Sequence, residues 1–438
     1  MSAPDAIAAM RRTAWVRSLA RLGSARDYVF TFGAEFAVLA STLVTLKLAA
    51  EYWNTASFGE YVLARRTLSL LQLPIACGMP VALTRFIARA RAEGRPGFER
   101  QCFVAGLVIA LASIALALAV LLGFASLSAK VLLGDSARIP LLGAVCLGAA
   151  GLVLHGVVYG ALRGQLQMST ANLLQVVNLG LVPVLVLATH GRSPEQVVGL
   201  MGGVWCVVAG LAVSAVRSHM SARRDPEPGG RGAALTLLRY GAPRVPGEFA
   251  LGALSTVPVT VVTHTSGIVA AGFVGLGVSL TSMVGSLFAP LGQIVLPAVS
   301  AHAVGPERTR LQGDAFRVTA LCVALAAAGV VGLELTVGWA IPLFLGSEYA
   351  AAVPVIRLML LGAVPYVAYI VLRAVLDALH TRPLNAKNLA VGLAVLIALC
   401  SWTGTVYGIA WSYVAALVVV GALSVVDARR ALARLAAS

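Results

Sequence analysis

Long apolar runs, each about 20 residues or more and nearly free of charge, constrain this chain more than any other feature. As an α-helix rising 1.5 Å per residue, about 20 such residues cross the roughly 30 Å hydrocarbon layer of a bilayer. Lipid offers no partner for backbone N–H and C=O groups, so a spanning segment must be a helix or part of a closed barrel. Barrel strands alternate apolar and polar residues over segments of about 10 residues, and these runs do not alternate. The runs predict twelve spans, over 28–49, 61–88, 101–125, 139–162, 169–190, 195–217, 235–264, 267–299, 316–340, 352–378, 385–403 and 405–427. The fold class expected is therefore an all-α polytopic membrane protein. Composition agrees: 59% of the 438 residues are hydrophobic and 12% charged. That is half the charge a soluble surface usually carries, about a quarter of residues. Gly78 and Pro80 fall inside the second run, where a kink is expected rather than a split.

A net charge of +15 raises the question of nucleic acid, and the placement of the charge answers it. With the N-terminus inside, 23 basic residues fall in cytoplasmic segments and three (Lys130, Arg138, Arg192) on the opposite side. That asymmetry is the positive-inside pattern, so both termini are expected in the cytoplasm and no nucleic-acid partner is expected. Arg11, Arg12, Arg17, Arg21 and Arg26 precede the first run and read as a basic interfacial segment, with no cleavable signal peptide. The six cysteines lie in or beside apolar runs without a C-x-x-C pair, so neither disulfides nor metal sites are expected.

The chain reads as a duplication. Glu35-Phe36-Ala37 repeats as Glu248-Phe249-Ala250, and Gly59 repeats as Gly272, both at an offset of 213 residues. Between the copies, 217–232 is polar and rich in Pro and Gly, as linkers are. The expected organisation is a basic N-terminal segment (1–27), a six-helix bundle (28–217), a cytoplasmic linker (218–234), a second six-helix bundle (235–427) and a tail (428–438). Six spans per half imply a parallel repeat about an axis along the membrane normal, and transporters of that design bind substrate between the halves.

No connection between spans is long enough for a catalytic domain, and no nucleophile, paired-aspartate, His-rich or P-loop motif is present. No catalytic residue, cofactor or metal is therefore expected. Chemistry is left to charges inside the spans, which by default face an interior or a watery cavity. Lys47, Arg85 and Glu334 lie near span ends and can snorkel, and Arg373 and Asp377 are spaced i, i+4 as a helix ion pair. Arg65 and Arg66 are adjacent and point about 100° apart, so at least one must face the interior. Arg357, similarly placed in the tenth run, is a candidate to join them, and guanidiniums together suit a phosphate, which they grip bidentately. The alternative is interhelical pairing with Glu35, Glu248 or backbone carbonyls. Arg244 lies one turn before Glu248, where Pro243, Pro246 and Gly247 break the helix start, and is a further candidate for substrate. Glu35 and Glu248, at equivalent depths in the two halves, are the candidates for ion coupling. Glu35 is the better one, with no basic residue at i±3 or i±4.

Phe58-Gly59-x-Tyr61, Gly78 and Ala82-Leu83-x-Arg85 in the second run, with Tyr240-Gly241-x-Pro243 opening the second half, resemble the signatures of O-antigen and polysaccharide flippases. Those belong to the multidrug/oligosaccharidyl-lipid/polysaccharide exporter (MOP) superfamily. The resemblance implies two six-helix bundles around a cationic cavity in the bacterial inner membrane. It implies an undecaprenyl-diphosphate-linked oligosaccharide as substrate, flipped to the periplasmic leaflet by alternating access. Its implied partners are membrane lipids and the polysaccharide polymerase and chain-length proteins. The rivals are a drug/cation antiporter of the same superfamily, which an acidic cavity would suit better, and a membrane-embedded polysaccharide enzyme.

Overall fold

The computed structural model describes residues 25–189, 193–218, 220, 230–302, 308–379 and 384–437. The basic residues at 11–21, Arg192 and most of the linker lie outside them, as does the side chain of Asp377. Among the described residues every regular element is helical. Ten helices are long and apolar enough to cross a bilayer: Phe30–Tyr52, Pro96–Gly123, Ser136–Gly164, Met168–Ala188, Pro194–Ser218, Gly232–Ser266, Ile268–Ala289, Phe316–Leu345, Leu384–Thr403 and Val406–Ala433. Two bent pairs, Thr55–Ile75 with Met79–Ala92 and Ser347–Leu360 with Ala363–Arg373, complete twelve spans. Each coincides with one apolar run of the sequence, because lipid leaves such a run no other way to satisfy its backbone.

The second span shows how local sequence shapes this framework. Asn54 caps its start, its side chain accepting from the Ser57 N–H at 2.9 Å. Pro74 supplies no N–H to the helix, Cys77 and Gly78 take positive φ (49° and 69°), and Pro80 restarts the helix, so the axis turns by 48°. The kink expected from Gly78 and Pro80 is there. A side chain at Gly78 would collide with the backbone of Gly241, so this glycine meets two demands, a left-handed backbone and a close approach.

The seventh span bridges the two halves. Gly230–Gly241 is amphipathic, and it buries Ala233 and Leu237 in one core with Met79, Leu83 and Ile87 of the first half. A 3₁₀ turn at Ala242–Arg244, containing Pro243, then hands the chain to Val245–Ser266, which packs in the large core shared by both halves. The start of the seventh span thus rides on the first bundle, because its apolar face is covered there.

The pseudo-two-fold relation is visible in contacts. Gly272 lies against Gly59, Gly275 against Val62, and Ser279 against Arg66, each residue meeting its own counterpart 213 positions away. Related residues can touch in this way only along the axis. The axis therefore runs between the second and eighth spans, on a stripe spaced i, i+3, i+7. Glycine at 59, 272 and 275 lets the two backbones approach, as small residues do between membrane helices. Within the first half, Gly148, Gly151 and Gly202 do the same for the fourth and sixth spans.

Candidate functional site

A cavity of about 190 Å³ lies on this axis, lined by Tyr61, Val62, Arg65, Arg66 and Ser69 of the second span, Ser279, Ser282, Met283 and Ser286 of the eighth, and Thr42 and Leu46 of the first. Arg66 donates to Ser279 Oγ at 2.7 Å across the axis. Arg65 donates to the Tyr61 hydroxyl at 3.2 Å, with its guanidinium 5.9 Å from the Tyr61 ring centre. Among the described residues no ion pair reaches either arginine. The sequence left open whether these arginines are balanced by Glu35 or Glu248, and the geometry has them facing hydroxyls instead. Two uncompensated guanidiniums in a low-dielectric interior attract an anion strongly.

A second cavity of about 450 Å³ adjoins the first through shared residues Arg66 and Ser69. Leu70, Leu73, Glu248, Leu251, Gly252, Ser255, Thr256 and Arg373 complete it. Glu248 is thus a wall residue of this cavity. Arg373 was not foreseen there. From sequence it reads as the partner of Asp377 one turn away, and only the 46° bend of the tenth span turns this stretch toward the cavity.

The structure does not bring the remaining candidates to this place. Arg357 lies 3.8 Å from Glu334 on the ninth span, half exposed, and lines neither cavity. Its depth matches that of Arg65, but its helix presents it to a different neighbour. Arg244 is exposed at the start of Val245–Ser266, donating to the Tyr240 carbonyl at 2.6 Å with its guanidinium 3.7 Å from the Tyr240 ring centre. Glu35 lies inside the first half, accepting from Gln175 Nε2 at 3.1 Å. It belongs to a polar seam between the first, fourth, fifth and sixth spans, where Asn172 donates to Thr31 at 3.2 Å, Asn178 meets His155 at 3.2 Å and Trp205 donates to the Asn178 carbonyl. The fifth span adopts a π-helical turn at Val176–Leu181 to present Asn178 there, a distortion often found at functional positions.

Charges in the turn between the second and third spans are mostly matched. Arg89 and Arg95 meet Glu93 at 2.6 and 3.4 Å, and Arg91 meets Glu99 at 3.6 Å. The hydrogen bond from Arg89 holds the Glu93 carboxyl below the usual glutamate range, in the turn outside the membrane.

The overall shape is that of known transporters. An inward-facing multidrug-resistance MATE-family transporter of the MOP superfamily superimposes with a TM-score of 0.78 at 14% identity, over 94% of this chain and 99% of its own. An outward-facing MATE transporter gives 0.66 at 15% identity, covering 94% and 96%. A MOP-superfamily transporter from Pyrococcus furiosus, described as having a binding pocket of reverse polarity that suggests a different function, gives 0.62 at 15% identity, covering 94% and 99%. No curated protein sequence is significantly similar to the chain. Residues 25–302, well over half of the chain, match the polysaccharide biosynthesis protein family. On that match, and with the MOP transporter fold around it, this multi-pass membrane protein belongs to the polysaccharide biosynthesis protein family.

Proposed function

We propose that the protein flips an undecaprenyl-diphosphate-linked oligosaccharide from the cytoplasmic to the periplasmic leaflet of the bacterial inner membrane, both termini being cytoplasmic. The observation that carries this reading is the pair Arg65 and Arg66, facing an interface cavity on the pseudo-two-fold axis without a carboxylate partner among the described residues. A guanidinium pair fits a diphosphate, and Ser69, Ser279, Ser282 and Ser286 offer hydroxyls to its remaining oxygens and to sugar. Arg373 and Glu248 extend the same seat toward the cytoplasm. A cavity of this sign disfavours the cationic compounds a drug antiporter would carry. The Pyrococcus furiosus relative gives precedent, within this fold, for a pocket of altered polarity linked to a different function.

The conformation reads as inward-facing. Cross-half contacts close the periplasmic ends: Gly59 against Gly272, Phe58 against Tyr349 at 5.1 Å between ring centres, and His264 at 3.1 Å from the Val131 carbonyl. The higher TM-score to the inward-facing relative supports the same state. Replacing Arg65 and Arg66 together with glutamine should abolish glycan export with normal membrane levels, while lysine should rescue in part by keeping charge without the fork. Full export by the glutamine pair would reject the diphosphate seat. Reporter fusions after Arg100, Arg231 and Ser438 should report cytoplasm and those after Ser57 and Arg192 periplasm, and a periplasmic C-terminus would overturn the topology.

A further inference from the structure

The two stretches that carry the family resemblance meet each other in the fold. Arg85 of the second span places its guanidinium 4.5 Å from the ring centre of Tyr240, which opens the second half, and Arg244 places its own 3.7 Å from the same ring. Phe86 packs its edge on Tyr240, with centres 5.4 Å apart at 85°. Below them Gly78 and Gly241 press backbone to backbone, which fixes the approach of the two segments.

Two features of this cluster point to a ligand. Its neighbours Arg89, Arg91 and Arg95 are matched by Glu93 and Glu99, whereas among the described residues no carboxylate lies within 4 Å of Arg85 or Arg244. Both side chains are exposed, so two like charges are held on one ring, and the nearest acidic influence on Arg244, from Glu248 one turn away, is electrostatic and not a contact ion pair. The second feature is location. Arg244, Glu248, Gly252 and Ser255 recur every three or four residues along the seventh span, and the last three line the larger cavity. Arg244 therefore stands one turn outside that cavity on the same face, at the cytoplasmic level, where Arg and Tyr sit among lipid headgroups. It also sits at the 3₁₀ turn that joins Gly230–Gly241, packed on the first bundle, to Val245–Ser266, packed between the two halves.

We propose that Arg85 and Arg244, over the Tyr240 ring, form a loading site at the cytoplasmic mouth for the phosphate of an inner-leaflet lipid. In the transport cycle that group is the diphosphate of the carrier lipid, which passes from here to Arg373 and Arg66. The assignment to the cycle rests on the flippase reading above, whereas the phosphate site does not. Retention of added lipid by the purified full-length protein, followed by native mass spectrometry, tests it. The probes are undecaprenyl diphosphate, phosphatidylglycerol and phosphatidylethanolamine, and the parent variant is R65Q/R66Q, which removes the central seat. The parent should still retain phosphate lipid, and adding R85Q/R244Q should lower retention about tenfold, with R85K/R244K restoring part of it. Loss confined to undecaprenyl diphosphate identifies the carrier as occupant. Equal loss of phosphatidylglycerol identifies any anionic headgroup. Unchanged retention of both in the R85Q/R244Q protein, eluting as the parent does on size exclusion, overturns the site. Should R65Q/R66Q export glycan normally, the central diphosphate seat falls, and the loading site is still judged by retention alone.

Discussion

The two halves share a scaffold and divide the chemistry. Gly59 and Gly272 hold equivalent places on the axis, and Ser69 and Ser282 face the same cavity. At the centre the pairing departs from symmetry: the counterparts of Arg65 and Arg66 in the second half are Val278 and Ser279. In the smaller cavity both cations come from the first half, while the second half contributes only uncharged groups, among them the hydroxyls of Ser279, Ser282 and Ser286. Glu35 and Glu248 also differ, one half-buried against Gln175 within its own bundle and the other lining the interface. Even the helices diverge, for the second span is bent by 48° while its counterpart, Ile268–His302, is one continuous helix. Duplication thus preserved what lets two bundles meet on an axis. In the smaller cavity the charge comes from one copy alone, through Arg65 and Arg66.

That division can be tested by exchanging the copies. Because Arg66 and Ser279 touch across the axis, R66S should lower export roughly 10- to 100-fold, the scale of one charge-assisted hydrogen bond. The double exchange R66S/S279R returns a guanidinium to the same cavity and should recover much of the loss in a glycan export assay. No recovery would mean that the side of the axis matters as well as the charge.

A smaller effect is expected from the shared scaffold. A side chain at Gly275 meets Val62, so Gly275→Leu should push the second and eighth spans apart near the Gly59–Gly272 contact. Overpacking of this kind costs about 1–3 kcal/mol, which shifts the population away from the state in which this contact is closed. Labelling of a cysteine placed at Ser57 should then speed up, and an unchanged labelling rate would remove this stripe from the conformational change.

The smallest difference is expected between the two carboxylates. Glu35→Gln keeps a side-chain oxygen that can accept from Gln175, so folding should be intact. If Glu35 carries the coupled proton, reconstituted transport by this variant loses its response to a pH gradient while Glu248→Gln keeps most of it. The reverse pattern would assign coupling to the interface carboxylate.

Much of this was legible before any tertiary structure. The sequence determined how many spans there are and how deep each residue sits, because an apolar run must be helical in lipid and depth advances 1.5 Å per residue. It also exposed the duplication through Glu35/Glu248 and Gly59/Gly272, and it put Arg65 and Arg66 among the few charges forced inward. What it could not determine is azimuth. Rotation and tilt of a membrane helix are set by packing against its neighbours, through contacts such as Gly148 on Gly202 and bends such as that of the tenth span. Only those contacts decided that Arg66 faces Ser279, that Arg357, at a similar depth, faces Glu334, and that Arg373 turns into the cavity while Arg244 stays at its mouth.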